Sequence, residues 1–240
     1  LGTWSVSVAL LAVIQAHAEE SLPVSLDVKS DVYSAYVWRG KVLDRNAVWQ
    51  PSAIATLDLK DAGSFSMKTW SNWGLVQGSS RTQTTKSFGG LNVLNFTPSY
   101  TKNFGPVGVT AGNIFYTFPG DALPKKRSTS ELFTTVAYKN DIATPSFSAY
   151  YDYRGVGGNL CEDDPSKDLY LRAALDKTVP LGRRFSASGT VLLGGGTSHY
   201  NEVRYCSSGE GFADYQASAG VSYAVTHAFS VGVTLAYTGL

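Results

Sequence analysis

The sequence predicts an all-β fold: an up-and-down antiparallel transmembrane β-barrel of about 12 strands. Three observations predict it. Apolar and polar residues alternate with a period of two through most of the chain, which is the side-chain repeat of a β-strand. The connections between these stretches alternate longer and shorter, as in a barrel with long loops at one rim and tight turns at the other. No stretch of helical length carries a 3.6-residue pattern, and no internal repeat or linker marks a second domain.

Composition points the same way. Of 240 residues, 43% are hydrophobic and 16% charged, where soluble domains carry about 25% charge. A formal net charge of +1 gives no electrostatic case for nucleic acid. Residues 4–18 hold no charge and run Val8-Ala9-Leu10-Leu11-Ala12-Val13-Ile14 into Ala16-His17-Ala18. That is the apolar run and small-residue cleavage site of an export leader, too short for the ~20 residues of a membrane-spanning helix. The expected organisation is a signal peptide at 1–18 and a single outer-membrane barrel domain at 19–240.

The first expected strand is 25–40. Leu26, Val28, Val32, Tyr36 and Trp38 fall on one parity, and Asp27, Lys29, Asp31 and Arg39 on the other. Next come 48–60, with Trp49, Ala53, Ala55, Leu57 and Leu59 on one face, and 64–74, with Phe65, Met67 and Trp73 opposite Ser64, Ser66, Lys68 and Asn72. The stretch 91–102 is interrupted by Pro98, which removes a ladder donor. Then follow 107–118, 131–139, 146–154, 169–177, 185–193, 212–223 and 229–237, each alternating. The longer connections are near 41–47, 75–90, 119–128, 155–168 and 194–211; the shorter ones are 61–63, 103–106, 140–145, 178–184 and 224–228. These make eleven strands. Single-chain bacterial barrels have even numbers, so a twelfth is expected beyond the C-terminal residue. Trp38, Trp49, Trp73, Tyr100, Tyr116, Tyr138, Tyr151, Tyr153, Tyr223 and Tyr237 lie near strand ends, where aromatic girdles would meet the two membrane interfaces.

The motif Ser34-Ala35-Tyr36-Val37-Trp38-Arg39-Gly40, preceded by Asp27-Val28-Lys29-Ser30, resembles the first strand of an uncharacterised, porin-like family of Gram-negative outer-membrane barrels. Members open the mature chain with a Ser-Asp-Tyr-Val-Trp-Arg-Gly-like motif; here Ala35 stands where the family carries an acidic or amide residue. Phe115-Tyr116-Thr117-Phe118-Pro119-Gly120 is similar to that family's aromatic-Pro-Gly strand end. The resemblance implies an outer-membrane barrel and no particular substrate.

On the polar faces, acids and bases balance. Asp27, Lys29, Asp31, Arg39, Lys60, Lys68, Glu131, Asp152, Arg154, Arg172, Asp176 and Asp214 are the expected pore-lining set. They would orient small polar solutes in an open lumen, or brace and fill a narrow one. Arg39, after the Trp38 anchor, is the expected residue at the mouth. Cys161 and Cys206 fall in long loops one hairpin apart, and in an oxidising compartment they would form a disulfide. Two cysteines without clustered histidine argue against zinc. Glu162-Asp163-Asp164 lacks regular calcium-ligand spacing and reads as a solvated acidic loop. A rim hydrolase would have to use Ser198 and His199, sequence neighbours in a Gly-rich loop, so no enzyme activity is expected. The sequence therefore implies a passive channel for small polar solutes without metal or cofactor. Its partners would be outer-membrane lipid and lipopolysaccharide. The alternative is a closed structural or surface-interaction barrel acting through its long loops.

Overall fold

A computed structural model describes residues 2–14, 23–76, 90–119, 128–154, 168–207 and 209–240. In chain order the strands are β1 (Thr3–Ile14), β2 (Val24–Tyr33), β3 (Tyr36–Trp38), β4 (Lys41–Asp44), β5 (Val48–Asp58), β6 (Ser64–Gly74), β7 (Gly90–Phe104), β8 (Val107–Thr117), β9 (Thr129–Tyr138), β10 (Thr144–Asp152), β11 (Asp168–Pro180), β12 (Phe185–Gly196), β13 (Gly211–Ala224) and β14 (Phe229–Gly239). One helix, α1 (Ser198–Tyr205), lies between β12 and β13. Twelve of the described strands close an antiparallel barrel in the order β1-β14-β13-β12-β11-β10-β9-β8-β7-β6-β5-β2, while β3 and β4 pair only with each other.

The alternation has the meaning a membrane barrel gives it. Outward-facing Val6, Leu26, Phe65, Met67, Phe96, Phe115, Leu132, Leu175, Val191, Val221 and Leu235 are all exposed. Most of their neighbours on the inner parity are hydroxyls, amides, glycines and charges. A soluble sandwich would bury the apolar face; here it forms the belt that lipid covers. Aromatic rings gather at both rims: Trp4 with Tyr237, and Trp49 with Trp73 at 5.9 Å, near the long loops, and Phe185 with Tyr223 at 4.8 Å near the short turns. Trp38 and Tyr116, expected in those girdles, instead point into the barrel, as described below.

Two elements differ from the sequence expectation. The twelfth strand of this barrel comes from the N-terminal end of the sequence. Thr3–Ile14, expected as part of a leader, forms β1 and pairs with β14 on one side and β2 on the other. Its first half has the period of a wall strand, with Ser5 and Ser7 buried inward and Trp4, Val6 and Val8 exposed outward. The expected strand at 25–40 is also broken. β2 ends at Tyr33, and the chain leaves the wall at Ser34, whose backbone N–H donates to Val6 O at 3.0 Å and whose hydroxyl accepts from Val6 N at 3.1 Å.

Pro98 does not interrupt β7. It pairs in register with Met67 on β6, and on the β8 side the ladder simply skips from Phe96 to Ser99. Gly112, which pairs with the following Ser99, has no Cβ; one there would meet Pro98 O and the Phe133 ring.

Candidate functional site

The β3–β4 hairpin lies inside the long-loop end of the barrel. At its base, Tyr36 is buried with Val48 of β5 and Val93 of β7, and Leu43, Trp70 and Phe118 pack around them. The rings of Tyr36 and Trp70 are 5.8 Å apart. At its tip, Arg39 and Gly40 both have positive φ, 46° and 75°, which a two-residue hairpin turn of the primed type requires. Glycine is needed at position 40 on spatial grounds too, since a Cβ there would sit 2.6 Å from Asp214 Cβ and 2.7 Å from Gly239 O. The hairpin thus reaches from β5 and β7 on one side to β13 and β14 on the other. Asp44 returns the chain to the wall, its Oδ1 accepting from Asn46 N at 3.0 Å and Asn46 Nδ2 at 2.9 Å.

The tip is held by charge. Arg39 donates a two-pronged pair to Glu131 of β9, Nη1 to Oε1 at 2.9 Å and Nη2 to Oε2 at 2.7 Å. The two side chains are only 10% and 3% exposed. Nη1 also donates to the Tyr200 hydroxyl at 3.1 Å, and the Tyr116 hydroxyl donates to Glu131 Oε2 at 2.8 Å. The guanidinium lies over the rings of Tyr170 at 4.2 Å, Trp38 at 4.6 Å and Tyr150 at 4.8 Å. Planar arginine suits a site that asks for a fork and a stacking face together. Burial opposes the Arg39 charge, but Glu131 and the Tyr200 and Tyr116 phenols outweigh it and hold the guanidinium well above its ordinary value.

Helix α1 wedges in beside the hairpin. Thr197 caps it, its hydroxyl accepting from Tyr200 N at 3.3 Å, and Cys206 ends it in the left-handed conformation. Tyr200 and Val203 are buried, with Tyr200 packed on Tyr170 and Ala213. Arg204 reaches Asp152 of β10 at 3.1 Å and Asp168 of β11 at 3.4 Å, and His199 Nε2 lies 3.4 Å from Asp168 Oδ1. Helix and hairpin are tied directly, because the Tyr205 hydroxyl donates to Arg39 O at 2.8 Å and Lys41 Nζ donates to Arg204 O. Burial, with Arg204 beside it, holds the Lys41 ammonium below its ordinary range. Two glycines on the inner face of β12 leave room for this packing, Gly196 for the helix and Gly194 for the wall residues beside it. A Cβ at Gly194 would overlap the Tyr170–Asp214 hydrogen bond, and one at Gly196 would overlap Tyr200 and Asn201.

Of the residues expected to line the lumen, Arg39, Glu131 and Asp152 meet in this plug, and Asp214 adjoins it through the Tyr170 hydroxyl at 2.8 Å. Arg172 pairs in register with Gly194, which pairs with Asp214. Lys29 and Asp31 face a cavity lower in the barrel. Asp27 has the inner parity of β2, and Asp176 accepts from Thr190 at 2.7 Å on the inner face of β11 and β12. Two expectations are corrected. Lys60 is exposed in the short turn at Lys60–Ala62, where its positive φ of 56° takes it out of the strand. Arg154 is exposed at the long-loop rim, beyond the end of β10. Cys206 is not a free thiol. Cys161 and Glu162-Asp163-Asp164 lie outside the described residues.

Sequence reasoning missed α1 and with it Tyr200, Arg204 and Tyr205. The available signal was Thr197 as an N-cap, followed by Tyr200 and Val203 three apart on one face. It also missed Tyr170 and Tyr150, whose inward parity on their strands was readable.

Fold and site define a membrane-spanning β-barrel whose mouth is filled by a folded-in hairpin and a loop helix. Neither a family model nor a curated protein sequence matches the chain. Among solved structures it is similar to the outer membrane channel DcaP of Acinetobacter baumannii, at 11% identity, over 99% of this chain and 96% of that one, with a TM-score of 0.37. It is similar to the same degree, 11% and 0.37 over 99% of both chains, to a loop L8 deletion mutant of OmpT, an outer membrane protein of Vibrio cholerae. Likeness this loose leaves the function to be argued from the site.

Proposed function

We propose that this chain is a bacterial outer-membrane barrel that acts as a gated channel for small polar solutes and rests closed, with Arg39 as the latch. The observation that carries the reading is the pair between Arg39 and Glu131, which fixes a hairpin across the mouth while polar residues line the barrel below it. A buried pair of this kind is a poor source of net stability but a strong determinant of one arrangement. That is what a closure element needs. The reading departs from an always-open passage because the hairpin and α1 occupy the mouth.

The reading also gives the Ser34–Gly40 motif a purpose: its Tyr36, Trp38, Arg39 and Gly40 are the residues that seat the plug. Kinship with the porin-like family that carries a similar motif belongs to the same proposal, as does a Cys161–Cys206 disulfide anchoring the end of α1. Export by a leader at 1–18 and the wall strand β1 are rival uses of the same residues.

The test is liposome swelling with the purified protein. Wild type should admit small neutral solutes slowly, and Arg39→Ala should admit them several-fold faster (a 1 kcal/mol change in closure is already about fivefold). Equal, negligible swelling for both proteins would favour the closed structural barrel and remove the channel.

A further inference from the structure

Below the hairpin lies a cavity of about 530 Å³, walled by β1, β2, β12, β13 and β14. The hairpin is its roof, since Ala35 and Val37 line it. Its volume falls in the 300–1,000 Å³ range in which small-molecule sites occur. We infer that this chamber is a binding site for a small neutral polyhydroxylated solute of mono- to disaccharide size. The inference rests on the channel reading and gives its substrate class.

The wall chemistry selects the ligand. Ser5, Ser7, Ser218, Ser222, Thr234 and Gln216 present hydroxyls and an amide, groups that both donate and accept. A polyol presents the same two-way groups, so each side satisfies the other without either needing a charge. An ionic solute would need a fixed counter-charge, and the two charges lining the chamber are one of each sign on neighbouring inner positions of β2, so neither sign of solute meets a net counter-charge. Lys29 and Asp31 stand two residues apart on the same face of β2, and both line the chamber. Tyr33 supplies the one ring among the described lining residues, a face on which a sugar ring can lie. The glycine at position 232 and the small serines keep the space clear, in contrast to the aromatic filling of the plug.

The roof couples the chamber to the latch. A solute resting against Val37 touches the strand that carries Trp38 and leads into the Arg39 turn. Occupancy and hairpin position therefore share one contact surface.

The test is calorimetric titration of the full-length protein, in a detergent that contains no sugar headgroup, with sucrose as probe and glutamate and lysine as charged controls. Sucrose should bind saturably with a Kd in the millimolar range, and the charged solutes should give no saturable heat. The variant Gln216→Leu/Ser218→Leu, confirmed as folded by heat-modifiable gel mobility, should bind sucrose about tenfold more weakly, as the loss of two hydrogen bonds implies. Absence of sucrose binding to wild type, equal binding by the variant, or preferential binding of glutamate or lysine would each overturn the proposal. Swelling assays fail separately. An Arg39→Ala barrel that stays impermeable removes the channel reading and leaves the titration to decide the chamber.

Discussion

The lumen has two halves built on opposite plans. Along β9, β10 and β11 the inner face carries Glu131, Phe133, Tyr150, Asp152, Asp168 and Tyr170, and the space they face is filled by Arg39, Tyr200 and Arg204. Along β12 to β14 and β1 the lower inner face carries Ser188, Ser218, Ser222, Thr234, Ser5 and Ser7, and among the described residues they face a cavity. The lesson concerns small residues. Gly196 is small because a helix needs its room and Gly194 because the Tyr170–Asp214 hydrogen bond does, whereas the serines below are small and leave a chamber. Residue size alone does not tell a packed wall from an open one; what folds in against it decides.

The comparison is broken most severely by removing one partner of the buried pair. Glu131→Gln leaves the Arg39 guanidinium caged without its counter-charge and should cost about 3–5 kcal/mol. Thermal unfolding in detergent checks the loss, and hydrogen exchange across 36–44 should rise sharply. On the chamber side, Ser218→Ala should move stability by no more than about 0.5 kcal/mol in the same assay. Similar losses at both sites would erase the distinction between the halves.

A smaller effect separates the two kinds of glycine. Gly196→Val drives a side chain into Tyr200, and overpacking of this kind should cost about 1–3 kcal/mol. Lipid-facing Gly189, whose added Cβ would have its nearest neighbour at 3.7 Å, should accept alanine with no more than about 0.5 kcal/mol of change. Smaller again, Thr197→Ala removes the cap of α1 and should cost about 1 kcal/mol. It would be seen as faster exchange in 198–205 with the hairpin still protected. Loss of protection in both together would mean that helix and hairpin form a single unit.

Much of the wall was legible in the sequence, and the reason is local. A strand with one lipid face and one lumen face writes its period directly into the residues, so Ser64–Gly74 was bounded correctly and other limits moved by only a few residues. The plug was not legible, because its stabilising contacts are remote in sequence: Arg39 meets Glu131 across 92 positions and Tyr200 across 161. The hairpin continues the alternation of β2, so the sequence reads as one strand to Gly40, whereas the β1–β2 ladder ends with Ser34 on Val6 and Tyr36–Trp38 pair only with Lys41–Asp44. β1 was read by its lack of charge, which a leader shares, although Trp4, Val6 and Val8 against Thr3, Ser5 and Ser7 already had the wall period. Mass spectrometry of the membrane-extracted protein decides this point. Peptides covering 3–14 should be present; a mature protein starting near Glu19 would take β1 out of the wall and bring β14 and β2 into question as neighbours.

The central claim is that the Arg39 hairpin closes the barrel, and planar-bilayer recording of single molecules tests it most directly. Wild type should stay silent or open only briefly, while Arg39→Ala, with the barrel intact by heat-modifiable mobility, should show long stepwise openings. A wild-type protein that conducts steadily, with the same step size and open time as Arg39→Ala, would contradict it.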